Sequence, residues 1–175
     1  MRAAAHRVAL LLALVVTTGS ASQTTVAAGV DAQAVSGTVS GHVQGVGFRA
    51  MLLKQAIEYN LAGSAKNNSD GTVKFILQGD KNRIDEAVDA VRNGTNKSSD
   101  VKVIVSPTVV DSGLNKFTVL GWTSISRNIT NPYDLVFTLR ADDNTISRKE
   151  AKDVWHAILK NSLKGEDLSK LRDDD

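Results

Sequence analysis

Apolar and polar residues alternate from Val35 to Val43, and this alternation predicts a β-strand. Val35, Val39 and Val43 fall on one face together with two glycines, whereas serine, threonine and histidine fall on the other. Successive side chains of a strand point to opposite faces, so we expect this strand to bury one face and to expose the other to solvent.

The apolar spacing then changes to that of two helices separated by two strands. Four residues of the first helix recur at intervals of three or four positions: Phe48, Leu52, Ala56 and Tyr59. The second helix is predicted around residues 84–91, and Gly94 is expected to end it. Between the helices, residues 63–68 and 72–78 are predicted strands, joined by a two-residue hairpin turn at Asp70–Gly71.

Further predicted strands at residues 101–105 and 117–122 complete the order β-α-β-β-α-β over residues 35–122. Right-handed crossovers and a single half-buried sheet then predict an α+β, ferredoxin-like sandwich with a half-exposed antiparallel sheet. In this arrangement we expect the strand at residues 63–68 to lie beside the first strand, centrally in the sheet. The fold alone indicates little about function, because it serves many chemistries.

Residues 123–175 form a C-terminal extension with a predicted strand at residues 133–140 and a predicted helix at about residues 147–164. Ser147 and Glu150 have the spacing of a capping box at the start of this helix. The helix has an apolar stripe of five residues: Ala151, Val154, Trp155, Ile158 and Leu159. We expect this stripe either to pack back on the domain or to dock a protein partner.

The first 21 residues have the pattern of a secretory signal peptide, with a basic start, a short apolar run and small residues before a cleavage site. Residues 22–34 lack a sustained period and are expected to be a flexible lead-in. We place cleavage after Ala21, and sites as late as Ala34 stay open. The mature protein is therefore expected to be exported to a bacterial periplasm or secreted, with no membrane association after signal cleavage.

The net charge and the cysteine content of the chain limit which ligands and macromolecular partners are expected. The chain has 175 residues and a formal charge of +2, and the two leader arginines, Arg2 and Arg7, account for that excess. A neutral body lacks the basic surface typical of nucleic-acid binding, so no nucleic-acid partner is expected. The chain has no cysteine and three widely separated histidines, and we predict neither a metal site nor a cofactor.

The stretch HVQGVGFR, residues 42–49, places two glycines and an arginine between the first strand and the first helix. Gly45 and Gly47 allow a tight bend in which successive N–H groups form a concave anion site, and the helix adds its positive end. Arg49 supplies a charged, forked donor that matches phosphoryl oxygens. A purely structural bend with a solvated arginine is the alternative.

Asn67 stands late in the second predicted strand, just before the Asp70–Gly71 turn. An amide at this position could orient a water molecule beside an anion held in the loop. An asparagine before a turn commonly serves the turn itself, through hydrogen bonds to the local backbone. The residue alone leaves both roles open.

Together the two stretches resemble the motifs of the acylphosphatase family. Its first motif, G-[basic]-V-Q-G-V-x-F-R, is similar to GHVQGVGFR at residues 41–49, and its second, G-W-V-x-N-x-x-D-G-x-V, to GSAKNNSDGTV at residues 63–73. The resemblance implies that Arg49 binds phosphate and that Asn67 positions the attacking water. It also implies that the loop wraps the phosphate with the backbone of five residues: Gln44, Gly45, Val46, Gly47 and Phe48.

The chain departs from these motifs at His42, in place of the usual basic residue, and at Ser64 and Ala65, in place of tryptophan and valine. The last two changes are expected to thin the packing beneath Asn67. The resemblance implies an enzyme that hydrolyses the carboxyl–phosphate bond of small acyl phosphates to a carboxylate and inorganic phosphate. The alternative is an exported module on the same fold that binds anions with little or no catalytic activity.

We predict that the leader is removed on export, because its pattern ends in the small residues that precede a cleavage site. Mass spectrometry of the protein isolated from its host should find a mature N-terminus between residues 22 and 35. An intact segment from Met1 to Ala21 would contradict this prediction.

Overall fold

The computed structural model describes residues 32–124 and 129–163. The predicted signal peptide and nearly all of the lead-in lie outside these residues, as does the part of the chain beyond residue 163. None of the helices in residues 32–124 and 129–163 has the length and hydropathy of a membrane-spanning segment.

The first part of the described chain has the predicted order β-α-β-β-α-β. Its elements are β1 (Gln33–His42), α1 (Phe48–Tyr59), β2 (Ala62–Asn67), β3 (Val73–Gly79), α2 (Lys81–Asn93) and β4 (Ser99–Pro107). The elements that follow are β5 (Lys116–Ser124), β6 (Ile129–Thr138) and α3 (Arg148–Ser162). The side chain of Asp80 caps the N-terminus of α2, and Gly94 caps its C-terminus as predicted.

The strands form one six-stranded sheet in the order β4-β1-β3-β2-β5-β6. The order β4-β1-β3-β2, with antiparallel ladders throughout, confirms the predicted ferredoxin-like arrangement. β5 pairs in parallel with β2, and β6 pairs antiparallel with β5. The complete sheet is therefore mixed, with one parallel ladder in addition to the predicted antiparallel ones.

The expected position of β2 beside β1 is wrong. β3 returns from the β2–β3 turn and inserts between the two strands, where it makes antiparallel ladders with both. β2 consequently has β5 as its second neighbour. The strand predicted at residues 117–122 is thus a full member of the sheet, between β2 and β6.

The β2–β3 turn is one residue wider than predicted. Residues 69–71 connect Asn68 and Thr72, and the Asn68 N–H donates to Thr72 O at 2.8 Å. Gly71 has a φ of 87°, so it is the third residue of the turn, in the left-handed conformation that closes such hairpins. Asp70 Oδ1 accepts hydrogen bonds from both N and Oγ1 of Thr72, which fixes the turn.

The core lies between the sheet and the described helices, which pack on one of its faces. Inward-facing strand residues such as Val39, Phe75 and Val119 are inaccessible to solvent. Phe75 pairs with Gly37 of β1 and with Ala65 of β2, and a Cβ on Gly37 would lie 2.1 Å from the Phe75 ring. β2 therefore contributes only the small side chain of Ala65 to this part of the core, and the Phe75 ring of β3 fills the space beside it.

The C-terminal extension is part of the same core. α3 packs on α1 and β6, and Ala151, Trp155 and Leu159 of its apolar stripe are buried. The Trp155 ring meets that of Trp122 edge to face, with centroids 6.1 Å apart and an interplanar angle of 78°. The face that was expected either to pack back or to dock a partner is thus largely covered within the chain.

Hydrogen bonds join the extension to the C-terminal end of α1. Asn60 Nδ2 donates to Arg140 O at 3.2 Å, and its Oδ1 accepts from the Arg140 N–H at 2.8 Å. The Arg140 guanidinium donates in turn to Ile57 O at 2.7 Å. Beyond this junction, α3 begins with the predicted capping box of Ser147 and Glu150.

We predict that Trp155→Ala lowers the free energy of unfolding by about 3–5 kcal/mol, the range for truncating a buried large aromatic side chain. Denaturant unfolding of the protein without its leader would measure this change. Val109→Ala is the control, because Val109 is 87% exposed and should change the free energy by about 0.5 kcal/mol or less. Equal effects of the two substitutions would refute a contribution of α3 to the core.

Candidate functional site

The glycine loop, residues 44–47, connects β1 to α1. Gly45 and Gly47 have φ values of 72° and 75°, in the left-handed region that favours glycine. A Cβ built on either residue would meet no atom within 4 Å, so the requirement for glycine is conformational rather than steric. Left-handed residues in such a bend let successive N–H groups converge on one point.

The glycine loop presents backbone donors together with the start of α1. Gly47 is the N-cap of α1, no side chain caps the helix, and its first turn has no acidic residue. Among the described residues, no acceptor meets the N–H groups of Gly45, Val46 or Gly47. These amides and the positive end of the helix are therefore available to an external anion.

Two neighbouring turns hold the glycine loop. Gln44 Nε2 donates to Asn68 O and Thr72 O at 2.8 and 2.9 Å, which joins the loop to the β2–β3 turn. Thr95 Oγ1 donates to Val46 O at 3.1 Å, which joins it to the turn after α2. Because these bonds use a side chain and a carbonyl of the loop, they fix its shape and leave its N–H groups free.

Arg49 extends from the first turn of α1 to the backbone of β5. Its Nη1 donates to Leu120 O at 2.9 Å and to Gly121 O at 2.7 Å. Burial lowers the pKa of Arg49 from its ordinary value, although a guanidinium stays charged in proteins. No carboxylate among the described residues contributes to that pKa. Arg49 is therefore a partly buried cation, and its hydrogen-bond partners among the described residues are neutral carbonyl groups.

A β-bulge in β5 supplies those two carbonyls. Val119 pairs with Leu135 and Trp122 pairs with Tyr133, so the two residues between them in β5 lie opposite one residue of β6. One of the two, Gly121, has a φ of 60°. This left-handed conformation breaks the regular alternation of carbonyl directions along a strand, and both carbonyls meet the same guanidinium nitrogen.

Asn67 is the last residue of β2. β2 and β5 pair in parallel as far as Ala65 and Val119, two residues before Asn67 and one residue before Leu120. Neighbouring strands are roughly 4.8 Å apart. The end of β2 that bears Asn67 is therefore adjacent to the segment of β5 whose carbonyls bind Arg49.

The Asn67 side chain presents an acceptor without a protein donor. Its Oδ1 is buried and has no hydrogen-bond partner among the described residues. The recorded side-chain bonds of the adjacent turn are made instead by Asn68, Asp70 and Thr72. A buried acceptor without a donor costs about 1–3 kcal/mol, so a small donor such as water is expected to bind there.

The structure brings together the residues that the sequence motifs singled out. Arg49 binds the bulge of β5, Asn67 ends the adjacent strand β2, and hydrogen bonds of Gln44 join the glycine loop to the turn that follows Asn67. Phe48 is buried in the core, so it can reach the concave side of the loop only with its backbone. His42 is exposed at the end of β1, paired with Ser99 of β4.

Three contributions to the site were missed by the sequence analysis. They are the Gln44 side chain, the Thr95 hydroxyl, and the carbonyls of Leu120 and Gly121. Only the two carbonyls had a signal in the sequence, because an isolated glycine inside a predicted strand, here Gly121, often marks a bulge. The other two depend on which turns lie beside the loop in space.

The site offers donors for an anion rather than ligands for a metal ion. Within residues 32–124 and 129–163, no group of three or more histidine, aspartate or glutamate side chains could hold a metal. The loop amides, the α1 N-terminus and the Arg49 guanidinium are positive or partly positive, and Asn67 adds a neutral amide beside them. This arrangement can bind a phosphoryl group and orient a water molecule next to it.

Residues 35–119 match the family model described as acylphosphatase. The acylphosphatase of Chlorobaculum tepidum is 42% identical over 82 residues, which are 47% of this chain and 89% of that protein. The acylphosphatase of Bacillus subtilis is 37% identical over 84 residues, which are 47% of this chain and 90% of that protein. A crystal structure of acylphosphatase from Bacillus subtilis is 36% identical, with a TM-score of 0.43, and the match covers 49% of this chain and 94% of that one.

We predict that Gln44→Ala lowers the free energy of unfolding by about 1–3 kcal/mol, because two hydrogen bonds of about 0.5–1.5 kcal/mol each are lost. Gln33→Ala is the matched control, since Gln33 is exposed in β1. Denaturant unfolding of both variants and the wild type would measure the difference. If Gln44→Ala unfolds at the same denaturant concentration as the control, the side chain does not anchor the loop.

Proposed function

Because the chain belongs to the acylphosphatase family, we propose a role for each site residue in the hydrolysis of acyl phosphates. The glycine loop, the Phe48 amide and Arg49 hold the phosphoryl group, and Asn67 positions the water that attacks it. One observation carries this assignment. Among the described residues, the loop amides meet no acceptor, no carboxylate contributes to the pKa of Arg49, and Asn67 Oδ1 is buried without a donor; these groups lie near the end of the sheet where β1 and β2 finish.

The bonds that Arg49 makes to the described residues use only Nη1, which leaves a second edge of the guanidinium for the phosphoryl group. A guanidinium has five N–H donors, and the two on Nη1 are directed to the carbonyls of Leu120 and Gly121. The N–H groups of Nε and Nη2 form the remaining edge, which matches two phosphoryl oxygens at once. The carbonyl contacts thus orient the arginine without neutralising it.

The same donors stabilise the transition state. Water attacks phosphorus as the bond from phosphorus to the acyl oxygen breaks, and the electron pair of that bond leaves with the carboxylate. Negative charge on the equatorial phosphoryl oxygens is met by the loop amides and Arg49, which are already in place before the reaction. The proton lost by water passes to the phosphate product or to solvent.

Asn67 acts on the nucleophile rather than on the anion. Its Oδ1 meets no donor in the described part of the chain and can accept a hydrogen bond from the attacking water. Fixing that water in line with the leaving oxygen removes the entropy cost of an otherwise bimolecular encounter. An amide cannot take up the proton at neutral pH, so this role is one of positioning.

The leaving group explains why the proposed reaction needs few participants. A carboxylic acid has a pKa near 4, so its carboxylate leaves without protonation by a general acid. The proposed mechanism therefore uses neither a metal ion nor a covalent intermediate. The leader further supports the proposal that this activity is exported from the cytoplasm to a periplasm or to the medium.

We predict different effects of substitutions at the two residues. Arg49→Gln should abolish turnover of benzoyl phosphate and also raise the inhibition constant of inorganic phosphate, because it removes bonds to the anion. Asn67→Ala should lower kcat by roughly 100-fold or more, the scale for losing one positioned group, while phosphate inhibition stays close to that of the wild type. Steady-state kinetics without added metal would measure both constants.

Arg92→Gln is the matched control, since Arg92 is exposed on α2 and pairs only with Asp89 among the described residues. It should leave both constants unchanged. A folded wild type that binds phosphate but does not hydrolyse benzoyl phosphate would favour the anion-binding module over the enzyme. Equal loss of phosphate affinity in Arg49→Gln and Asn67→Ala would refute the separate roles.

A further inference from the structure

We propose that Asp134, in β6 of the C-terminal extension, is a positioning residue that holds Arg49 in its phosphate-binding orientation. The proposal rests on the proposed function of Arg49. It concerns a residue beyond the part of the chain that matches the acylphosphatase family model, residues 35–119. The extension would thus complete the support of a site that the domain itself contains.

A single peptide group connects Asp134 to Arg49. The Gly121 N–H donates to Asp134 Oδ1 at 2.9 Å, and the carbonyl of the same peptide, Leu120 O, accepts from Arg49 Nη1 at 2.9 Å. A trans peptide is planar and directs its N–H and C=O to opposite sides. Asp134 and Arg49 therefore form hydrogen bonds on opposite sides of the same peptide group.

The direction of this chain of hydrogen bonds is electrostatically favourable. The carboxylate lies at the positive end of the peptide dipole, and the guanidinium lies at its negative end. Hydrogen bonds in series polarise one another, so the carboxylate strengthens the carbonyl as an acceptor for Arg49. Asp134 acts on the arginine in this way without forming an ion pair with it.

The bulge explains why a side chain is needed at this position. Leu120 and Gly121 both lie opposite Asp134, between the pairs Val119–Leu135 and Trp122–Tyr133. The extra residue of a bulge is left out of the backbone ladder, so its N–H requires another acceptor. The Asp134 carboxylate supplies one.

Loss of this acceptor would affect Arg49 before it affects the fold. The Gly121 N–H would turn toward solvent, and rotation of its peptide plane would carry Leu120 O away from the guanidinium. Glycine adopts more backbone conformations than any other residue, so Gly121 itself offers little resistance to such a rotation. The neighbouring backbone pairs between β5 and β6 are separate from this contact.

The test compares Asp134→Ala, Asp134→Asn and the control Asp111→Ala in the protein without its leader. Asp111 is also exposed and its Oδ1 accepts one backbone N–H, from Gly113. It lies at the opposite end of the sheet, bonded to Gln78. The measurements are the inhibition constant of inorganic phosphate, kcat and KM for benzoyl phosphate, and the melting temperature.

We expect Asp134→Ala to weaken phosphate binding and to lower kcat/KM by about tenfold, the scale for losing a hydrogen bond to a charged group. Asp134→Asn keeps an oxygen at the same position and should restore most of the affinity. Asp111→Ala should leave both values unchanged. A residue that only stabilised the fold would lower the melting temperature without changing phosphate inhibition well below it.

Unchanged phosphate inhibition in folded Asp134→Ala would overturn the proposal, as would equal losses in the alanine and asparagine variants. Neither result would affect the proposed function, provided that the wild type hydrolyses benzoyl phosphate. Conversely, an inactive wild type that still binds phosphate would refute the proposed function. Phosphate binding constants of the three variants, measured directly by calorimetry, would then still decide the role of Asp134.

Discussion

The site depends on a guanidinium that is partly removed from water and bound by two backbone carbonyls. Burying a cation without an anionic partner is unfavourable, and the described residues give Arg49 no carboxylate that contributes to its pKa, while the carbonyls of Leu120 and Gly121 offset part of the cost. The remaining positive potential is what an anion entering the glycine loop would meet. A carboxylate partner would stabilise the free protein better, but under the proposed function it would compete with the phosphoryl group for the same donors.

The β5 bulge links this guanidinium to the packing of the extension. Phe117 and Val119 are buried at alternate positions, and the extra residue shifts the alternation so that Trp122 rather than Gly121 enters the core. Trp122 then contacts Trp155 of α3. The same irregularity therefore directs two carbonyls toward Arg49 and a large ring toward the added helix.

Much of the fold could be predicted from the sequence, because its signals are local. Alternation, helical periodicity, Gly94 and the Ser147–Glu150 capping box act within a few residues, and these predictions are confirmed. The position of β2 and the pairing of β5 depend on contacts between distant segments, and periodicity carries no information on them. The same limit applies to the site: the motifs indicated Arg49 and Asn67 by resemblance, whereas the bonds of Gln44 cross a separation that only the folded chain reveals.

The added strand also changes which backbone groups are left at the margin of the sheet. Without β6, β5 would present an unpaired row of N–H and C=O groups to other molecules, and such edges are templates for aggregation. β6 takes over this outer position and contains Pro132, which lacks an N–H and interrupts any further ladder. The extension thus closes one margin of the sheet with a strand that is poorly suited to recruit another chain.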